Sequence, residues 1–257
     1  MSRSGPTARL FAAVDPPSAV CHELASWARE AAGAMRAGAR PGADDAAKVR
    51  VLAPDTLHVT LCFLGSRPVE EIDALADALA RCPAHGGSLA VGAPLWLPPR
   101  DPRSLALEVH DGLAPSPGPG GWLSELHGAL SEAFARAVGW EPERRRFRAH
   151  VTVARLGRSG KPSRRARGRG DGRGQRRRER GGAAGHGAVA GQGEAPVPLP
   201  PTPQLTFAPA AVVLYRSWLD PQGASYEPIA TRTLEAGSPS PSSSSSGGEE
   251  GAEPFVT

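Results

Sequence analysis

Two five-residue stretches, Leu57-His58-Val59-Thr60-Leu61 and Ala149-His150-Val151-Thr152-Val153, repeat one pattern. Each alternates a polar with an apolar residue, the period of a half-buried β-strand. On a strand, residues i and i+2 share a face, so His58 stands beside Thr60 and His150 beside Thr152. Val59 with Leu61, and Val151 with Val153, turn to the opposite face and anchor their strands in a core. A single histidine so placed would read as a strand residue satisfied by backbone. Two are harder to dismiss. With nine Thr and seven His in 257 residues, composition alone gives ~0.25 His-x-Thr tripeptides, and the chain has two in matching apolar frames.

Nearer the N-terminus, Ala8–Val14 reads as a buried strand closed by Asp15-Pro16-Pro17. Ser18 then caps a helix with Val20, Leu24, Trp27 and Ala31 on one face. Residues Gly33–Ala47 read as a loop, and Leu57–Leu64 as a strand ended by Gly65-Ser66. Pro68 opens a second helix with Val69, Ile72, Leu75 and Leu79 inward. Strands around Ser88–Leu97 and Ser104–His110 precede a loop at Pro115–Gly121. A third helix follows, with Leu123, Leu126, Leu130, Phe134 and Val138 on one face and Gly139 as its stop. Arg148–Leu156 is a strand, and Ala211–Trp218 with Tyr226–Leu234 form a hairpin around Pro221-Gln222-Gly223. Hairpins mixed with single helices argue for an α+β body with mostly antiparallel sheet.

The formal charge of +4 is unevenly distributed. Arg158–Gly182 holds ten Arg and one Lys against Asp171 and Glu179, a local +9 that leaves the remainder at −5. The body is therefore not a basic nucleic-acid binder as a whole. Residues 158–204, first Arg/Gly-rich and then Pro-rich, lack aliphatic periodicity and read as a disordered insertion; 235–257 reads as a disordered Ser/Gly/Glu tail. The folded domain is expected over 8–157 and 205–234. With 28 Arg and 2 Lys in the chain, the Arg/Gly stretch reads as composition bias ahead of an RNA tether.

Cys21, Cys62 and Cys82 show no pairing or metal spacing and read as small apolar residues in a reducing, cytoplasmic setting. The apolar run Leu10–Val14 is too short for a signal peptide, and no stretch approaches a membrane span. No metal, cofactor or membrane partner is expected, and the chain is expected to be a monomer. Trp96, Trp122, Trp140 and Trp218 read as core or rim residues, His127 as a helix-edge residue, and His22, His85, His110 and His186 as non-catalytic. Strict alternation from Thr152 puts Arg155 on the opposite strand face, so it reaches a phosphate only if the strand bends.

Two imidazoles, each with an ordinary pKa near ~6.5, can serve as acid and base at neutral pH. Two threonine hydroxyls can donate to non-bridging phosphate oxygens as charge develops. That set suffices to open a cyclic phosphodiester without a metal.

On these residues the sequence resembles the 2H phosphoesterases, and among them the RNA 2′,3′-cyclic phosphodiesterases also called 2′-5′ RNA ligases. The likeness runs through Arg9–Pro17, Leu57–Gly65, Phe147–Arg155, Leu214–Ser217 and Gly223–Pro228, in the family's order. It departs at Ala149, where Pro is expected, and at the basic insertion after Arg158. The resemblance implies a bilobal fold with the motifs facing each other across a central cleft. It implies His58 as proton donor, His150 as proton acceptor and Thr60 and Thr152 on the phosphate of an RNA 2′,3′-cyclic end or a cyclic nucleotide. Water opens the ring there and leaves a 2′-phosphate. The residues alone do not say which imidazole is the acid. Two other functions fit the same chain: an RNA-binding module without turnover, and 2′-5′ ligation as the reverse reaction.

Overall fold

The computed structural model describes residues 5–38, 49–112, 121–157, 198–220 and 223–236. Most of the basic insertion, from Arg158 to residue 197, and the tail from Gly237 lie outside the described residues, as do 39–48 and 113–120.

The first strand, β1 (Thr7–Val14), divides by parity: Leu10, Ala12 and Val14 join the core while Arg9 and Phe11 take the other face. In chain order follow β2 (Val49–Val51), β3 (Val59–Pro68), β4 (His85–Gly86), β5 (Leu89–Leu97), β6 (Ser104–Asp111), β7 (His150–Leu156), β8 (Thr206–Phe207), β9 (Ala211–Asp220), β10 (Gly223–Thr233) and β11 (Glu235–Ala236). One sheet runs β10-β9-β1-β3-β7-β6-β5-β8, with β2 added on β7, and its pairings are antiparallel. A small parallel pair joins β4 to β11.

This is the expected α+β, mostly antiparallel architecture, with one addition. Its two four-strand halves are continuous, joined where Val59 of β3 pairs with Val151 of β7. Both valines are fully buried, so the two motifs are fixed to each other by the core beneath them.

Three helices cover the core face: α1 (Ser18–Ala37), α2 (Ile72–Ala80) and α3 (Trp122–Val138). Leu24, Leu75, Leu130 and Phe134 are wholly buried, and truncating such a side chain to Ala costs about 2–5 kcal/mol. Gly139 stops α3 as expected: its φ of 62° is left-handed, and its N–H donates to the Ala135 carbonyl at 2.9 Å. At the other end of α3, the Asp111 carboxylate accepts from the Leu123 N–H at 3.0 Å, so the end of β6 caps the helix.

Several local expectations change. The position before α1 is Pro17, and Ser18 makes no capping bond there. The helix continues through Gly33 to Ala37, because Ala31 and Ala32 are buried and an Ala-rich segment extends a helix at little cost. A 3-10 turn (Val69–Glu71) comes between Pro68 and α2. Gly65 does not end β3: at φ 73° it sits opposite Leu10 beside a bulge, and pairing continues to Pro68.

The insertion and the tail are also shorter at their inner ends than the composition suggests. Leu199 and Leu205 pack on the core, and the Trp27 indole N–H donates to the carbonyls of Pro200 at 3.2 Å and Pro201 at 3.0 Å. Prolines bring no N–H of their own to satisfy, so their carbonyls can serve the indole of the buried Trp27. Glu235 and Ala236 pair with β4 where a tail was expected.

Candidate active site

His58 lies one residue ahead of β3, after a 3-10 turn (Pro54–Thr56), and His150 is the first residue of β7. Val59 and Val151 are paired antiparallel, so one step either way sets Thr60 level with His150 and His58 level with Thr152. The four side chains predicted to carry chemistry therefore share one face at the junction of the two half-sheets, on the side away from the helices. All four are partly buried.

The rings are wired identically. The Nδ1 of His58 bonds to the Thr56 carbonyl at 2.9 Å, and the Nδ1 of His150 to the Arg148 carbonyl at 2.8 Å. A carbonyl only accepts, so each Nδ1 carries the proton and each neutral ring presents the Nε2 lone pair. The Thr60 and Thr152 hydroxyls make no hydrogen bond among the described residues, which leaves both available to a ligand.

Beyond each threonine the strand breaks its alternation. Thr60 pairs with Ala13 and Cys62 with Ala12, leaving Leu61 extra; Thr152 pairs with Ala106 and Ala154 with Leu105, leaving Val153 extra. Both residues of each bulge are buried, Leu61 with Cys62 and Val153 with Ala154. A bulge of this kind shifts parity by one. Phe63 and Arg155, each five residues after its histidine, thereby return to the His/Thr face. Arg155 was expected on the opposite face unless the strand bends; the bulge supplies that bend. Its charge reaches both His58 and Tyr226.

Burial above all, joined by the charges of Arg155 and His150 and opposed by the Thr56 hydrogen bond, pushes the His58 ring down to about 4. An aromatic box explains the burial: Phe11 lies 4.8 Å from the His58 ring, and Tyr226 meets that ring edge-on at 5.1 Å. Phe11 stacks on Tyr215 at 5.2 Å, whose hydroxyl donates to the Asp15 carboxylate. Burial raises the Asp15 carboxyl, while the tyrosine's bond works against that rise.

The surroundings of His150 are polar. Glu108 stands opposite it in register and accepts from Arg148 at 3.1 Å, steadying the residue whose carbonyl orients the ring. Arg50, paired with Arg155 across β2 and β7, adds a further cation near Tyr226, as does Arg9.

The box residues Phe11, Tyr215 and Tyr226, and the flanking Arg9, Arg50 and Phe63, were not singled out from the sequence. All but Arg50 fall within the segments that carry the family likeness, though nothing in the sequence says which of those residues meet. His127 stacks on Phe147 at 4.2 Å, away from this face, and Trp140 is core against Phe134. Among the described residues no group of three His, Cys, Asp or Glu is placed to hold a metal, and no helix is long and apolar enough to cross a membrane.

No family model matches the sequence, and no curated protein does. Solved structures do match in fold. Escherichia coli LigT complexed with 3′-AMP superposes with a TM-score of 0.56 at 24% identity, over 89% of this chain and 99% of that one. A protein described as a phosphoesterase gives 0.55 at 23%, over 89% and 99%. A protein from Thermus thermophilus gives 0.55 at 21%, over 88% and 97%. The chain has the LigT fold.

Proposed function

We propose that the chain is a 2H phosphoesterase that hydrolyses RNA 2′,3′-cyclic phosphate ends to 2′-phosphomonoesters without a metal. The observation that carries this is the doubled device: two histidines with the same tautomer, each level with the other motif's threonine, facing one space. The fold shared with LigT, whose solved forms include complexes with 3′-AMP, ATP and NADP+, supports a phosphate-bearing nucleotide as ligand class.

In the reaction, His150 Nε2 takes a proton from water as the water oxygen bonds to phosphorus. The bond from phosphorus to O3′ breaks, and His58 gives its Nε2 proton to that oxygen. Thr60 and Thr152 donate to the non-bridging oxygens, and Arg155 balances their charge. The phosphate remains on O2′.

A ring pushed down to about 4 is uncharged in the resting site at neutral pH. The donor therefore gains its proton as substrate binds: an anionic phosphodiester gives the desolvated imidazolium a counter-charge and also offsets its repulsion with Arg155. The same groups in the same roles, with a 5′ hydroxyl in place of water, would join a cyclic phosphate to that hydroxyl through a 2′-5′ bond as O3′ leaves.

The test is turnover of an RNA bearing a 2′,3′-cyclic phosphate, in excess chelator, with separation of 2′- from 3′-phosphate ends. Chelator-resistant formation of 2′-phosphate is expected. Activity abolished by chelator, or 3′-phosphate as the main product, would overturn the mechanism. Tight RNA binding with no turnover would instead identify a binding module of this fold.

A further inference from the structure

The rows of the catalytic face extend onto β6. Thr60 is level with His150, and Glu108 pairs with His150 in register, so Thr60, His150 and Glu108 form one row. His58, Thr152 and Ala106 form the next. Adjacent strands lie about 4.8 Å apart, so Glu108 stands one strand behind His150 as seen from β3. Its chain neighbours Leu107 and Val109 are buried on the core side, which leaves Glu108 on the face of the histidines. Arg148, two residues before His150 on β7, comes to the same corner: its Nε and Nη2 both lie 3.1 Å from Oε1 of Glu108.

Small residues and polar atoms make up this corner. Gly92 on β5 leaves room for it, since a Cβ there would lie 3.2 Å from the His110 ring and 3.3 Å from the Glu108 Cβ. Ala106 adds only a methyl group beside the row of His150. Oε2 of Glu108 makes no hydrogen bond among the described residues, and the His110 Nδ1 is buried without a partner among them. Such atoms suit a water molecule. The opposite end of the face differs in charge. There Arg155 and Arg50 stand level with each other across β7 and β2, two cations side by side, whereas the Glu108–Arg148 pair carries no net charge.

Displacement at phosphorus sets the entering and leaving oxygens roughly in line. With O3′ leaving at His58, the nucleophile enters at His150, and the diagonal from His58 to His150 leaves the catalytic square at the corner of Glu108 and Arg148. We infer that Glu108 selects the nucleophile: by neutralising Arg148 it keeps this corner from holding a second RNA strand, and so commits the site to water. This rests on the phosphoesterase function proposed above and names the residue that decides between hydrolysis and 2′-5′ joining. In both outcomes an oxygen bonds to phosphorus and passes its proton to His150, while O3′ leaves with the proton of His58. They differ in what the oxygen carries. Water brings no charge. The 5′ oxygen of an RNA strand is followed one ribose later by an anionic phosphodiester, which must rest near this corner. Without the carboxylate, Arg148 would be an uncompensated cation there and would hold that phosphate.

The experiment gives the whole protein an RNA ending in a 2′,3′-cyclic phosphate together with an acceptor, and reads the ratio of joined to hydrolysed product in one reaction. Both products need the same histidines and threonines, so a general loss of activity cancels in that ratio. Two acceptors are compared: a 5′-hydroxyl oligoribonucleotide, and adenosine, which brings a 5′ hydroxyl without a phosphate. Hydrolysis is expected to dominate in the wild type with either. Glu108→Gln keeps an oxygen for Arg148 and removes the charge. It is expected to raise the ratio roughly three- to tenfold with the oligonucleotide and less than about twofold with adenosine. Added salt shrinks the gain. Asp77→Asn, on the exposed surface of α2, keeps the wild-type ratio, and thermal melts establish that each variant is folded. An unchanged ratio in folded Glu108→Gln, or an equal gain with both acceptors, overturns the selection while leaving the phosphoesterase site standing. Absence of hydrolysis by the wild-type protein overturns the proposed function and the selection together.

Discussion

His58 and His150 are held by the same backbone device, an Nδ1–H donated to the carbonyl two residues earlier, and yet their surroundings are opposite in character. Around His58 stand Phe11, Tyr226 and, through Phe11, Tyr215: apolar rings that remove water and push the imidazole down to about 4. Around His150 stand Glu108 and Arg148, an ion pair in contact with solvent. The repeated frame sets tautomer and aim, which chemistry requires to be alike in both rings. Tuning of the proton affinities is left to the side chains that the frame does not repeat.

Breaking either half should be most damaging at the rings. His58→Ala and His150→Ala are each expected to lower kcat about 10²–10⁴-fold on a cyclic phosphate substrate, measured by initial rates. The double variant should cost little more than either single one, because the two protons move in one reaction. Fully additive losses would break the coupling between the halves.

Next in size, Arg155→Met should lower kcat/KM by about tenfold to a hundredfold, by loss of one charge-stabilising group. It should also remove one of the influences that hold His58 low, so the His58 titration rises from about 4 toward neutrality. The acid limb of the pH profile of kcat/KM moves up with it. Ring-proton NMR of His58 against pH checks this directly; a titration that stays put would remove Arg155 from the site.

The smallest effect is on stability and touches the first half alone. Tyr215→Phe deletes the hydroxyl that donates to the half-buried Asp15, at a cost of about 1–3 kcal/mol near pH 7. The Asp15 carboxyl is already raised by burial, and without its donor it rises further. A carboxyl raised in the folded state favours folding at pH below its unfolded value and loses that contribution as pH climbs through the folded one. The deficit should therefore shrink on acidification, read as converging melting temperatures toward pH ~4. A deficit independent of pH would mean that Asp15 is not the partner that matters.

Much of this was legible because the two motifs are near copies, and a period of two tells a strand which way each residue faces. His58, Thr60, His150 and Thr152 fall together as that period demands, and the strand pairs from Ser88 to His110 and around Pro221 are in place. What the residues did not disclose depends on partners distant in the chain. The bulges after Thr60 and Thr152 are set by the registers against β1 and β6, and they reverse the side on which Phe63 and Arg155 stand. The Tyr215–Asp15 bond spans nearly the whole chain. Glycine-containing segments misled at both Gly33 and Gly65, since burial of neighbouring alanines carried the helix on and cross-strand pairing carried the strand on.

The anchoring of Pro200 and Pro201 on the Trp27 indole has a bearing on how such a chain changes over time. Residue 157 follows directly on β7, and the chain is next secured at 198–201 against α1, so whatever joins those points connects two ends already fixed to the frame. Doubling the length of a flexible connection between fixed ends adds only about 0.6 kcal/mol of closure entropy. Lengthening here is thus nearly neutral for the frame, whereas removing a single residue from β7 upstream would throw Arg155 out of phase with His150. The two ends that flank this position are each held by contacts of their own, β7 in the sheet and Pro200–Pro201 on the Trp27 indole.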